Sequence, residues 1–245
     1  MQTDKRSFIA CLAGSVFVPP FRLLGEKSAP PELPTEVAGV RIPDTKLAQH
    51  AAELSRRSCP EFLFNHCMRT FLFGAAFAAR HQITYDAEAA FVAAALHDLG
   101  LLPAFASSGN TFEVDGADAA GTFLQKESVG TAESNAVWNA IAMHALRRQI
   151  VARQAGEVLV VSSGAGADFA GPDPDDIDRT RVDQIVAAFP RLRFKAHFLE
   201  LLTDHCRRKP NSQRATWLEG FCHATAPQPP GPSVADALAQ APFAE

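Results

Sequence analysis

Apolar residues recur three or four positions apart along most of the chain from residue 45 onward, which is the spacing of one helix face. Leu47, Ala51 and Leu54 show it first, and Thr45 can cap the helix that they define. The next helix starts at Cys59-Pro60-Glu61 and is apolar nearly all round, so we expect it to be central. The predicted helices span about residues 44–57, 59–77, 85–98, 115–124, 131–144, 176–189 and 193–208. Because the chain shows no βαβ alternation and no nucleotide-binding glycine loop, the sequence predicts an all-α fold.

Proline and glycine mark the irregular segments. Prolines between residues 19 and 44 predict a linker or surface strap, and those between 227 and 232 predict a frayed tail before a short terminal helix. The apolar run from Glu157 to Val161 fits either a strand or a helix, and the residues Gly164 to Asp168 after it are expected to form a glycine-rich turn. We therefore predict an extension over residues 1–44, a helical domain over 45–223 and a tail over 224–245.

Composition narrows the class of partner. The 245 residues are 47% hydrophobic and 20% charged, which is sufficient for a sizeable core. The net charge of −4 and the lack of a basic run argue against nucleic acid as a partner, and a homo-oligomer is left open. The cysteines are odd in number, scattered and without CxxC spacing. They are therefore expected to be reduced, partly buried thiols and not a disulfide framework: Cys11, Cys59, Cys67, Cys206 and Cys222.

The N-terminus has two interpretations. Lys5-Arg6 precedes a mildly apolar run from Ala10 to Val18, which is too short to span a bilayer. The first interpretation is an ordinary N-terminal arm of a cytoplasmic protein. The alternative is an export signal over residues 1–29 that resembles a twin-arginine signal with lysine in place of the first arginine. No other segment of the sequence suggests a membrane span.

Candidate metal ligands dominate the chemistry of the sequence. An apolar, alanine-rich helix is predicted to end in His97 and Asp98, which lie about 100° apart on a helix and can face one point. His66 lies in the most apolar helix, and His144 and Asp168 follow downstream. A buried carboxylate at Asp168 would be costly without a cation. Two histidines and two aspartates suit zinc, iron or manganese better than magnesium.

Three of these five residues also have an interpretation without metal. His66 and His144 can be hydrogen-bonded core residues, since histidine is often partly buried. Asp168 can cap a following helix, although Gly171-Pro172 disfavours a helix starting there. Arg69, one turn after His66, either reaches the site or forms a salt bridge. The sequence alone leaves these alternatives open.

The order H…HD…H…D of the candidates resembles that of the HD superfamily of helical metal-dependent enzymes. Five sequence segments are similar to the cyanamide hydratase branch of that superfamily: Asn65-His66, FVAAALHDL (91–99), FEVDGA (112–117), VWNAIAMH (137–144) and GAGAD (164–168). The resemblance implies an HD-type helical bundle with one divalent metal ion, zinc in the first place and iron or manganese as alternatives. It also implies that His66, His97, Asp98 and Asp168 are the ligands and that His144 lies beside the open coordination position.

The implied activity is the addition of metal-activated water to a small neutral nitrile such as cyanamide, which gives urea. His144 would transfer the proton, and with the ligand Asp98 it would be catalytic. Glu113 would bind substrate or orient a ligand, or else be a surface or capping carboxylate. Ala145-Leu146 stands where the resemblance leads us to expect small hydroxyl residues, which makes cyanamide itself less well matched.

Two other functions compete with nitrile hydration. Metal-dependent phosphohydrolysis needs cationic groups near the phosphate, and Arg147-Arg148 could supply them. Many such enzymes carry a lysine where this chain has Leu101. A non-catalytic HD scaffold for sensing or partner binding is the third reading, and the complete set of four candidate ligands argues against it.

Overall fold

Helices form most of what the computed structural model describes, which is residues 32–214, 216–225 and 238–242. Two short antiparallel strands, Glu36–Val37 (β1) and Val40–Arg41 (β2), form a hairpin ahead of the helices. The helices are Lys46–Ser58 (α1), Glu61–Arg80 (α2), Ala87–Leu96 (α3), Phe112–Lys126 (α4), Thr131–Ala142 (α5), Arg148–Val151 (α6), Gly156–Ala170 (α7), Arg179–Ala188 (α8), Phe194–Arg208 (α9) and Glu219–Thr225 (α10). The predicted all-α class is confirmed.

Helices α2 and α7 form the closest helix pair at the centre of the fold. Helix α2 buries residues on all its faces, as its apolar sequence predicts. At Gly74 of α2, a Cβ atom would lie 2.0 Å from the carbonyl oxygen of Val160 in α7. At Gly164 of α7, a Cβ atom would lie 1.8 Å from the carbonyl oxygen of Thr70 in α2. The two glycines therefore let the helix backbones touch.

The prediction of a glycine-rich turn at residues 164–168 is wrong. These residues lie inside α7, which also includes the ambiguous run Glu157 to Val161 and ends before Gly171, whose φ is +100°. Gly164 serves close packing against α2 and not chain reversal, so a pattern that suggests a turn in isolation is helical in the fold. Asp168 is consequently held on a rigid helix.

Local caps explain where several helices begin. The side chains of Thr45 and Asp86 accept hydrogen bonds from Ala48 N and Ala89 N, which confirms the predicted starts of α1 and α3. Helix α4 begins at Phe112, three residues earlier than predicted, because Thr111 supplies its cap. This places Glu113 in the first turn of α4.

The ends of the chain are only partly described. The proposed export signal lies outside the described residues, as does the proline-rich stretch 227–232 of the predicted tail. The described residues from Pro34 onward form one compact unit, and Val37 and Ile42 within the predicted extension are buried. In the described part of the chain, no helix has the length and hydropathy required to span a membrane.

Two cysteines differ from the expectation. Cys206 of α9 and Cys222 of α10 form a disulfide, whereas Cys59 and Cys67 are free and buried, as predicted. The turns after α9 bring α10 back against it, and a sequence separation of 16 residues with no motif gives no sign of that contact. The disulfide closes the loop that carries Trp217, while Cys11 lies outside the described residues.

Candidate metal centre

Three side chains from two helices converge at one buried point. His66 lies in the middle of α2, His97 caps the C-terminal end of α3, and Asp98 follows it. Asp98 Oδ2 is 3.4 Å from His66 Nε2 and 3.4 Å from His97 Nε2. One ligand atom from each residue lies within 4.8 Å of the others, and none of the three residues is more than 2% exposed. This buried His-His-Asp group could hold a metal ion.

The second ring nitrogen of each histidine fixes its orientation. His97 Nδ1 lies 2.8 Å from the carbonyl oxygen of Ala94, which can only accept a hydrogen bond, so Nδ1 carries the hydrogen. His66 Nδ1 lies 2.7 Å from Asp168 Oδ2 and donates to it in the same way. In its neutral form, each ring therefore directs the lone pair of Nε2 toward Asp98. Hydrogen bonds of this kind are typical of histidines that bind metals.

Two atoms of this group have no hydrogen-bond partner in the described part of the chain. They are His97 Nε2 and Asp98 Oδ2, both fully enclosed. Buried polar atoms are normally paired, because an unpaired one loses its hydration without compensation. A cation between the donors would remove that cost, so the donor set fits a bound metal ion.

The electrostatics also favour a cation. Burial raises the pKa of Asp98, but His97 and His66 more than offset it and hold that pKa well below its usual range. Burial, against the charge of Asp98, lowers the pKa of His97 to about 4, so its ring is neutral near pH 7. Burial lowers the pKa of His66, but the hydrogen bond to Asp168 and the negative charge of Asp98 outweigh it, so this pKa is raised. A metal ion and a proton would therefore compete for His66 Nε2.

Asp168 occupies a different place from that expected of a fourth ligand. Its carboxylate lies on the far side of the His66 ring, at Nδ1 and not at the point where the other donors meet. Arg69 donates to both of its oxygens, from Nε at 2.8 Å and from Nη2 at 2.7 Å, and Arg191 donates at 2.6 Å. Two guanidinium groups thus balance the buried carboxylate. The geometry makes Asp168 the residue that orients His66.

Arg69 therefore forms the salt bridge that was one of its two alternatives. It is fully buried and also donates from Nη1 to the carbonyl oxygen of Phe189, at 2.9 Å. Burial raises the pKa of Asp168, but the hydrogen bonds from His66 and Arg69 keep that pKa well below its usual range. Arg69 and Arg191 hold Asp168 in its charged form and in one orientation.

His144 lies beside the three donors, directly after the end of α5. Its ring centroid is 4.9 Å from that of His97, and its Nδ1 lies 2.7 Å from the carbonyl oxygen of Ile141. Nδ1 therefore carries the hydrogen, and Nε2 has a free lone pair in the neutral ring. The structure thus brings His144 close to the candidate ligands, while its role beside an open coordination position stays a prediction.

A cavity of about 390 Å³ opens onto the three donors and His144. Four aromatic side chains form much of its wall: Phe112, Phe198, Phe169 and Trp217. Phe169 and Trp217 are about half exposed. Sequence reasoning found Phe112 through its block but missed the other three. Trp217 and Phe198 reach the cavity only through tertiary packing of the segments around α9.

Glu113 was predicted to bind substrate or orient a ligand. Its Oε1 accepts a hydrogen bond from Trp217 Nε1 at 3.0 Å, and Glu113 is not among the described residues that line the cavity. It contacts the site through Trp217, whose ring it orients.

The arginine pair 147–148 divides between two surfaces. Arg147 lines the cavity beside the donors, whereas Arg148 lines a separate pocket near His81 and Asp176. Only one of the two arginines is therefore available to a molecule bound over the candidate metal centre.

The fold and site define an all-α protein with a buried His-His-Asp group that could hold a metal ion and that opens into an aromatic cavity. Comparison with models of known protein families finds no match, and comparison with curated proteins finds none either. The class of the site therefore rests on its geometry.

Proposed function

We propose that the protein is an HD-type metal-dependent enzyme that adds water to a nitrile, with cyanamide as the simplest substrate. The observation that supports this proposal is the convergence of His66 Nε2, His97 Nε2 and Asp98 Oδ2 below a cavity that His144 also lines. A purely structural cluster would be expected to pair these buried atoms with one another or with the backbone.

Two imidazole nitrogens and one carboxylate oxygen suit zinc, and also iron or manganese. With three protein ligands, a catalytic ion keeps a position open for water or substrate. When bound, such an ion supplies Lewis-acid activation of water and polarises the nitrile nitrogen. Asp98 provides the negative charge of the ligand set, and Asp168 keeps the Nε2 lone pair of His66 directed at the centre.

The reaction proposed is hydration with no change in oxidation state. A C–O bond forms between water and the nitrile carbon, one π bond of the C≡N group breaks, and a proton moves from the oxygen to the nitrogen. His144 is the residue placed for that transfer: Nε2 accepts the proton and returns it, while the carbonyl oxygen of Ile141 stabilises the charged ring through Nδ1. With cyanamide, the product after tautomerisation is urea.

Phosphohydrolysis is the second candidate, and Arg147 is the observation that favours it. This exposed side chain lines the cavity and forms no ion pair among the described residues, so it could neutralise a phosphate oxygen. Against it, the residue three positions after Asp98 is the buried Leu101, and the cavity offers mainly aromatic surface.

The test uses the full-length chain, with metal analysis and a cyanamide hydration assay on the same preparations. We expect Asp98→Ala to lose the metal, because it removes the one anionic donor. We expect His144→Ala to retain the metal and lose kcat by about 10²–10⁴-fold. The exposed His223 gives the matched control, His223→Ala, which should behave as wild type.

Three results would contradict the proposal. A wild-type protein without stoichiometric metal would favour the non-catalytic scaffold. Turnover of phosphate esters but not of cyanamide or other nitriles would favour the phosphohydrolase. Full activity of His144→Ala would show that the proton transfer does not pass through that ring.

A further inference from the structure

Aromatic rings connect the candidate metal centre to the mouth of the cavity without a gap. On one side, the ring centroid of Phe198 is 5.5 Å from that of His66 and 6.0 Å from that of Phe169. The Phe169 ring is in turn 6.2 Å from Trp217. These spacings lie within the range of direct aromatic contact. A continuous series of ring contacts therefore runs from His66 to Trp217 within the lining of the cavity.

A second series of aromatic ring contacts starts at His144. The ring of Phe112 is 5.8 Å from that of His144 and 6.4 Å from that of Trp217. Both series of ring contacts therefore end at Trp217. Ala145 and Leu146, which also line the cavity, add no hydroxyl group to it.

Trp217 and Phe169 are large apolar side chains that remain 48% and 50% exposed. The indole N–H of Trp217 donates to Glu113, so this ring offers an apolar face and not a polar group to a molecule in the cavity. The loop that carries it is closed by the Cys206–Cys222 disulfide. The disulfide and the hydrogen bond to Glu113 both restrain the position of Trp217.

The size of the cavity does not match cyanamide. A volume of about 390 Å³ falls in the range of roughly 300–1,000 Å³ that is typical of pockets for organic ligands. A single water occupies about 30 Å³ of liquid, and cyanamide has only three non-hydrogen atoms. Most of the cavity, including its aromatic part, would stay unused with that substrate.

We infer that the substrate is a neutral nitrile that carries an aromatic ring, held against the rings of Phe169 and Trp217 while the C≡N group reaches His144 and the candidate ligands. This assignment rests on the proposed hydration activity and names its substrate class. The chemistry is that of the smaller nitrile: water adds across the C≡N group, a proton passes from oxygen to nitrogen to give the imidic acid, and tautomerisation of that acid gives the amide. Trp217 and Phe169 determine specificity and take no part in the proton transfer.

The probe is phenylacetonitrile, compared with cyanamide on the zinc-loaded full-length protein. We expect kcat/KM for phenylacetonitrile to exceed that for cyanamide by at least about tenfold, since burial and stacking of one ring contribute on that scale. Trp217→Ala should lower the ratio of the two values by about tenfold, and Trp217→Phe should restore most of it. If Trp217→Ala folds poorly, Phe169→Ala gives an independent test, and we expect it to lower the same ratio.

The matched control is Leu199→Ala. Leu199 follows Phe198 on α9 and is 52% exposed, but it does not line the cavity, so its removal should leave the ratio unchanged. Calorimetric titration with phenylacetonitrile gives a readout other than activity: wild type should bind it at least about tenfold more tightly than Trp217→Ala.

The outcomes separate the two proposals. If cyanamide is hydrated well while phenylacetonitrile neither binds nor reacts, the aromatic substrate is refuted and the hydration activity stands. If no nitrile is hydrated but phenylacetonitrile binds through Trp217, the hydration activity is refuted and aromatic recognition by the cavity stands. If Leu199→Ala lowered the ratio of the two kcat/KM values as much as Trp217→Ala, that result would also count against a specific role for Trp217.

Discussion

Replacement of Gly164 by alanine tests whether close contact of α2 and α7 builds the site. In a helix interior alanine is intrinsically favoured over glycine by about 1 kcal/mol. At Gly164, however, the added Cβ would lie 1.8 Å from the carbonyl oxygen of Thr70, whereas ordinary contacts start at 3.4 Å. The obstacle is backbone, which cannot rotate away as a flexible side chain could.

The magnitude follows from that overlap. The two helices must move apart locally by more than an ångström, and overpacking of this kind typically costs about 1–3 kcal/mol, which exceeds the gain in helix propensity. Gly166 is the matched control on the same helix, because nothing lies within 4 Å of a Cβ placed there. We expect Gly166→Ala to stabilise the fold by up to about 1 kcal/mol. Because the gain in helix propensity is common to both variants, their unfolding free energies should differ by the overpacking cost, about 1–3 kcal/mol.

Equilibrium unfolding in urea, followed by far-UV circular dichroism with the disulfide kept oxidised, measures the difference. Because m is about 1–3 kcal/mol/M for small proteins, the two midpoints should separate by roughly 1 M. Asp168 lies one helical turn after Gly164, and so Gly164→Ala should also weaken metal binding by disturbing the 2.7 Å contact with His66. Equal unfolding free energies for the two variants would refute the reasoning.

Two further predictions concern charge. Asp168→Asn should keep stoichiometric metal but weaken its binding by about 10–100-fold, as expected for a residue that orients a ligand. Competition with a chromogenic chelator measures the affinity. Loss of metal as complete as in Asp98→Ala would instead make Asp168 a direct ligand. Burial, with the charges of Lys209 and Arg208, lowers the pKa of His205 from 6.5 to about 4, so the folded state binds fewer protons than the unfolded state between these values and stability falls as the pH falls through that window. His205→Gln should make the difference in unfolding free energy between pH 7 and pH 5 smaller than in wild type, and an unchanged difference would show that His205 does not titrate in this way.

The part of the site that sequence reasoning could reach is the part encoded over short distances. His97 and Asp98 are adjacent at the end of an apolar helix, and the structure brings them together with His66. His66 was recognisable because a histidine in an otherwise apolar helix needs a polar partner when buried. The caps at Thr45 and Asp86 were equally local, which is why the starts of α1 and α3 were predicted closely.

The partners of Asp168 could not be found in the same way. The sequence argument held that a buried carboxylate requires a cation, and the structure supplies two as arginines. Arg191 lies 23 residues after Asp168, in the segment between α8 and α9, and no periodic pattern connects the two. The sequence thus indicates the free-energy cost of burying a carboxylate, but a distant side chain and not a bound ion can offset that cost.

The same limit explains the misassigned turn, and it bears on how the site works. Gly164 indicates a turn only when the local sequence is considered alone. In the fold it packs against Thr70 within a helix, and this helix holds Asp168 at His66 Nδ1. Two candidate ligands, His97 and Asp98, are therefore adjacent in the sequence. The orientation of the third, His66, depends on the contact of α2 with α7. The aromatic wall depends in turn on the loop between α9 and α10. It follows that substitutions in these distant segments should alter metal affinity or substrate preference without touching a single candidate ligand.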